Sequence, residues 1–165
     1  MKTFTKYLVT LALAVCLSAC ATAHSQPYHQ FTFNGWSDKW AKQVDLLEYS
    51  YGDQYRMVMK KAEPDEQTLG YRTNINGPMP VGEFLYVKWR IKETGEVIED
   101  KVDLRNRLAR NMFEHAVTFV IDGRELYVYL VTPKAKPVEE PPPLKTFLSR
   151  YTVTYEIYPT NTYKR

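Results

Sequence analysis

The chain has 165 residues, with 22 Lys+Arg against 19 Asp+Glu and three histidines, for a formal charge of +3. So even a balance argues against a nucleic-acid-binding protein and against a basic surface for charged lipid. The two cysteines, Cys16 and Cys20, both lie near the N-terminus. The rest of the chain therefore has no disulfide framework and no cysteine metal site.

The first twenty residues read as an export signal. Lys2 and Lys6 give a positive start, and residues 7–16 (YLVTLALAVC) form a mostly apolar stretch. Ten residues are too few to span a bilayer, which takes about 20, but suit the hydrophobic part of a signal peptide. Leu17-Ser18-Ala19-Cys20 then resembles the bacterial lipobox, in which a cysteine accepts a diacylglyceryl group before cleavage. The ordinary alternative is a secretory signal cut after Ala19, Ala21 or Ala23. On the lipoprotein reading, residues 1–19 are the signal peptide, 20–27 a lipidated tether and 28–165 one domain. Each buried methylene is worth about 0.8 kcal/mol, so a di- or triacylated cysteine holds durably where one chain does not. Ala21, rather than an aspartate, favours the outer membrane over the inner. Processing removes two lysines and no acid, leaving 146 residues with 20 basic and 19 acidic side chains. That is enough chain for one core.

Residues 28–33 alternate like a strand. In residues 35–42 (GWSDKWAK), Trp36 and Trp40 are four apart, which suits a helical turn capped by Ser37. Residues 44–51 and 55–61 are strand candidates, and 62–82 (AEPDEQTLGYRTNINGPMPVG) read as a long loop rich in turn formers. In residues 84–92, Leu85, Val87, Trp89 and Ile91 share one face; Lys88, Arg90 and Lys92 take the other, with Tyr86. Thr94-Gly95 turns this strand into a partner over 96–103. Residues 104–112 (LRNRLARNM) read as a short helix or a loop. Asp122-Gly123-Arg124 between the apolar runs 116–121 and 125–131 signals a hairpin, with Asp-Gly as the turn. Residues 133–143 carry five prolines and read as a spur outside any sheet. Residues 145–158 read as a closing strand, with Phe147, Tyr151, Val153, Tyr155 and Ile157 on one face. The sum is an all-β antiparallel β-sandwich of about eight strands with long loops and little helix; an open barrel is the alternative.

A search for chemistry is mostly negative. His24 and His29 sit in or beside the tether, which leaves His115 as the histidine of the domain body. There is no His-Glu-x-x-His spacing, no Gly-x-Ser-x-Gly elbow and no glycine-rich phosphate loop. Glu114-His115 reads as a surface pair beside a strand rather than an acid and base. Glu96, Glu99, Asp100 and Asp103 alternate along a hairpin, which suits a solvated face better than a calcium site. Three polar segments remain as binding candidates: Arg105, Arg107 and Arg110; Met79, which looks exposed on a stiff proline loop; and Glu139 and Glu140 on the proline spur. Internal salt bridges to Asp103 and Glu114 are the plainer reading of the arginines.

The phrases GPMPVGEFLYVKWR, DKVDLRNRLARNM, RELYVYLVTP and SRYTVTYEIYPTN, spread over most of residues 28–163, resemble small proteobacterial lipoproteins encoded beside type VI secretion effectors. Those resemble immunity proteins against periplasm-acting, phospholipase D-type lipases. The resemblance implies a non-enzymatic, periplasm-facing lipoprotein with no cofactor and no metal. It implies a protein partner, a lipase-like toxin, that the chain binds and neutralises, and a membrane attachment through Cys20. The resemblance carries no catalytic residues and assigns no contact positions. The alternative is a structural or assembly lipoprotein that binds another envelope component.

Overall fold

The structure, a computed structural model, describes residues 26–58 and 69–165. The signal segment, Cys20 and most of the tether lie outside the described residues, as do the last three residues of the strand expected over 55–61. Nine strands are described: β1 (Tyr28–Asn34), β2 (Val44–Tyr51), β3 (Tyr55–Val58), β4 (Arg72–Pro78), β5 (Phe84–Ile91), β6 (Val97–Asp103), β7 (Ala116–Asp122), β8 (Glu125–Ala135) and β9 (Thr152–Tyr158). They form a five-stranded sheet A, ordered β4-β1-β7-β8-β9, and a four-stranded sheet B, ordered β3-β2-β5-β6. The fold is the expected all-β sandwich. One pairing is parallel: β1 lies beside β7, with Gln30 opposite Ala116.

Strand alternation puts one set of side chains from each sheet into a shared core. Phe31 of β1 stacks on Tyr51 of β2 at 4.8 Å, nearly parallel. Phe33 packs 4.6 Å from Phe119 and edge-on to Tyr49 at 5.1 Å. Leu85, Val87 and Trp89 close the core from β5. Trp89 is fully buried, and its indole N–H donates to the Gly123 carbonyl at 2.9 Å. That bond ties the core to the β7–β8 hairpin and satisfies the ring's single donor.

The hairpin at 122–125 forms, but its turn is one residue later than expected. Asp122 pairs with Glu125, so Gly123 and Arg124 are the central residues, and Gly123 takes the positive φ of +60°. This is the glycine-first pattern of a II′ turn.

Five other expectations are corrected. Residues 62–82 are not all loop, because β4 occupies Arg72–Pro78 as the outermost described strand of sheet A. Its Asn, Gly and Pro residues are tolerated in an outer strand, where one row of backbone groups needs no ladder partner. Strand β8 runs through Pro133 to Ala135. Its pairing with β7 ends at Val131, and the β9 register shifts between Val131 and Ala135, so the missing proline N–H interrupts no regular ladder. Residues 145–158 are not one strand. A 3₁₀ turn, Phe147–Arg150, precedes β9; Thr146 caps it, and the Ser149 hydroxyl donates to the Thr146 carbonyl at 2.7 Å. Such short polar side chains offer the backbone a local alternative to the ladder. Trp36 and Trp40 do not share a helical face: Trp36 is 59% exposed and Trp40 1%. Lys39 between them has φ +69°, which no helix admits, and a Cβ on Gly35 would lie 2.8 Å from the Trp40 ring. Residues 104–112, expected as a short helix or a loop, agree with the second: irregular turns bury Leu104, Leu108, Ala109 and Met112 over one end of the sandwich. Lastly, His115 is not alone in the domain body: His29, in β1, is fully buried.

The strands set up two distinct ends. Tyr28 begins β1 beside the close of β2, because the His29 ring meets the Tyr51 hydroxyl at 3.1 Å. The β2–β3 turn, the start of β5, the end of β6 and the start of β7 share this end, by their registers. The turn after β1 and the hairpins at Gly95 and Gly123 make the opposite end. There the Lys92 ammonium donates to the Ala41 carbonyl at 2.9 Å, and Arg124 meets Glu96 at 2.7 Å.

The outer face of sheet A is covered. Thr118 and Val120 of β7 and Tyr129 of β8 point away from the core, yet all are buried. A strap over residues 144–150 lies on them. The Phe147 N–H donates to Asp38 Oδ1 at 2.7 Å, while Lys145 pairs with Asp122 and sits 4.7 Å over the Tyr127 ring. Burial pushes the Asp38 carboxyl up to about 7, against the pull of the Phe147 N–H and the Thr146 hydroxyl.

Candidate partner-binding face

Among the described residues nothing covers the outer face of sheet B, and there the outward row of each strand meets its neighbour's. Phe84, Tyr86, Lys88 and Arg90 of β5 stand opposite Asp103, Lys101, Glu99 and Val97 of β6. On the other flank Ser50 and Glu48 of β2 face Tyr86 and Lys88, and Arg56 of β3 lies opposite Ser50. The alternation that sends Leu85, Val87 and Trp89 inward forces this row outward.

The charges on this face are largely paired across strands. Arg56 meets Glu48 at 2.8 Å, Lys88 meets Glu99 at 3.3 Å and Arg90 meets Asp45 at 3.0 Å. Two aromatic rings sit among them. The Tyr86 hydroxyl donates to Glu99 Oε2 at 2.9 Å, and partial burial together with that carboxylate raises the phenol to about 12. Tyr86 is thus a neutral donor at any physiological pH. The same bond, then Lys88, holds Glu99 below the usual carboxylate range. The Lys101 ammonium lies 4.1 Å over the Phe84 ring. Around Phe84 and Lys101 two shallow depressions join. One is lined by Glu83, Asp103 and Arg105, and the other by Glu48, Ser50, Asp53, Arg56 and Tyr86. A surface of matched charges around half-buried rings presents area and hydrogen bonds without an unpaired charge to desolvate.

The six residues picked from the sequence do not come together. Arg105 lines the depression, where its guanidinium and backbone N–H both bond Asp103 and hold that carboxyl down to about 2. Arg107 is structural: it donates to the Ile157 carbonyl and lies 5.6 Å from the Tyr158 ring, binding the 104–112 loop to β9. Arg110 is exposed on that loop. Glu139 pairs with Lys136 at 3.5 Å and Glu140 with Arg150 at 3.2 Å, beside the strap on the other sheet. Met79 is a correction. It is 2% exposed, because Pro78 and Pro80 turn it into the core while its N–H approaches the Pro27 carbonyl. Phe84, Tyr86, Lys101, Arg56 and Glu48 were missed. Tyr86 gave the one usable signal, an aromatic on the charged side of an alternating strand.

The hairpin acids do not converge. Glu96 turns to Arg124, Glu99 to Tyr86 and Lys88, Asp100 to the Tyr158 hydroxyl at 2.7 Å, and Asp103 to Arg105. Among the described residues no group of three or more His, Cys, Asp or Glu is placed to hold a metal ion. The His29 Nδ1 lies 3.0 Å from the Pro27 carbonyl, which can only accept. The proton therefore sits on Nδ1, Nε2 accepts from Tyr51, and burial lowers the ring's pKa. His115 is spent locally, with Nδ1 at 2.8 Å from the Phe113 carbonyl. Among the described residues no helix is long and apolar enough to cross a membrane. No family model, no curated protein and no solved structure matches this chain.

Proposed function

We propose that this is a periplasm-facing lipoprotein, held through an acylated Cys20 in the outer membrane, that binds and neutralises a lipase effector of the type VI secretion system. The observation that carries the binding role is the bare outer face of sheet B, with Phe84 and Tyr86 set among cross-strand ion pairs. The identity of the partner comes from the resemblance of the sequence phrases to immunity lipoproteins. On this reading the chain is not an enzyme. It acts by covering the effector's catalytic mouth or its lipid-contacting surface, with the Arg105–Asp103 pair at the rim.

The test is co-purification with the lipase encoded beside it, with lipase activity measured on phospholipid vesicles. A stoichiometric complex that abolishes hydrolysis is expected. Replacing Phe84 and Tyr86 together by alanine should weaken it by about 100-fold, since central aromatic anchors are typically worth about 2 kcal/mol or more. A pure protein that neither binds nor inhibits the enzyme would sink the proposal. An unchanged affinity in the double variant would move the contact to another face.

A further inference from the structure

We propose that the end of the sandwich where β1 begins rests on the lipid surface, with Tyr28 and Phe113 in the headgroup layer. The inference rests on the reading of Cys20 as the lipid anchor and adds to it an orientation. Pro27, the residue before β1, follows Cys20 by seven positions, so the chain between them reaches at most about 25 Å. A seven-residue strand is itself roughly 23 Å long. The anchor thus holds the β1 start within about 25 Å of the bilayer, and the far end, with Trp36 and two hairpin tips, lies a strand length from that start.

The near end also exposes two aromatic rings. Tyr28 is 48% exposed and Phe113 53%. They belong to one surface, because the Glu114 N–H donates to the Tyr28 carbonyl at 2.8 Å. The backbone around Phe113 is built to turn outward. Its N–H donates to Asn111 Oδ1 at 2.9 Å, and Glu114 holds φ +57°, a left-handed conformation that a non-glycine residue adopts at a cost of about 1 kcal/mol. The charges nearest Phe113 along the chain, Arg110 and Glu114, are of opposite sign, so the contact is assigned to the rings. Aromatic side chains favour the membrane–water interface for the same reason that they favour other half-wet surfaces.

In this orientation the strands of sheet B rise from the membrane, and the depression at Phe84, Lys101 and Arg105 lies at the lower end of that wall, since β5 begins at the near end. An enzyme working on phospholipid would meet that depression at the height of its substrate.

The experiment uses the processed, full-length protein, reconstituted in vesicles of phosphatidylethanolamine and phosphatidylglycerol. Phe113→Cys or Trp36→Cys supplies a single free thiol for a nitroxide label; both positions are exposed, so neither disturbs the core. We expect the label at 113 to be relaxed by oxygen dissolved in lipid and to be at least about 3-fold less accessible to an aqueous nickel chelate than the label at 36. Intact mass is read first. A protein without the acyl increment overturns the anchor and the orientation with it. An acylated protein whose two labels are equally accessible to the nickel chelate overturns the orientation alone.

Discussion

Sheet A and sheet B share one core but differ in what lies on their outer faces. On sheet A, Thr118, Val120 and Tyr129 point outward and are buried beneath the 144–150 strap. On sheet B, Tyr86, Lys88 and Arg90 occupy the equivalent outward row and stay partly open to solvent. The primary structure differs in the same sense. Residues 116–121 (AVTFVI) are apolar almost without alternation, as a strand covered on both sides requires, whereas from Leu85 to Ile91 apolar residues alternate with Tyr86, Lys88 and Arg90. A continuous apolar strand marks a face the fold has used, and an alternating one marks a face left for solvent or a partner.

Substitution at matching positions tests this difference. Tyr129→Ala should cost about 3–5 kcal/mol in urea unfolding, as removal of a large buried aromatic does. Tyr86→Ala should cost under about 1 kcal/mol and instead weaken partner binding. Equal losses would mean that the bare face of sheet B contributes to stability as a second core does.

The next largest effect is at the strap. Because burial raises the Asp38 carboxyl to about 7 in the fold, the folded state binds that proton more tightly than the unfolded chain does. The group's contribution to stability is therefore greatest below the unfolded value of 3.8, falls as pH rises through the interval to about 7, and is flat above. Asp38→Asn, which cannot ionise and can still accept from Phe147, should melt higher than the parent at pH 8, by about 1–3 kcal/mol, with the gap closing by pH 4. Thermal unfolding across that range measures it. His29 has the opposite sign: its lowered pKa makes acid destabilising below about 6.5, equally in both proteins.

The smallest effect is expected at the far end. Arg124→Ala removes a well-exposed pair with Glu96 and should change stability by no more than about 0.5 kcal/mol in the same assay. A larger loss would mean that this hairpin contact holds the two sheets together.

Alternation and turn residues made much of the fold readable. Strands β2, β5 and β6 and both glycine hairpins form where the pattern puts them, the second with its turn one residue later. β4 was hidden because Asn74, Asn76 and Gly77 resemble turn residues, and only its pairing with β1 makes them a strand. The 3₁₀ turn was hidden because apolar residues at 147, 151, 153 and 155 imitate alternation, while Thr146 and Ser149 quietly redirect the backbone. The site was less readable than the fold. Arg105 was picked out, and Tyr86 was seen on the charged side. What makes the face, however, is the adjacency of Tyr86 to Lys101, or of Ser50 to Arg56, and that is a matter of register. Met79 was misjudged because flanking prolines suggest a surface loop but do not say which way the residue between them points.

The parallel pairing of β1 with β7 has a kinetic side. The first strand in sequence is an interior strand of its sheet, flanked by β4 and by β7. Asp38, just beyond it, waits for a strap residue 109 positions later. The contacts that seat the N-terminal strand are thus among the most distant in the chain, and loops so long close slowly. A polypeptide threaded through a pore from its N-terminus would emerge with this strand able to pair with β4 alone, its other edge open until β7 had followed. Its leading segment would stay open longer than that of a fold built from local hairpins.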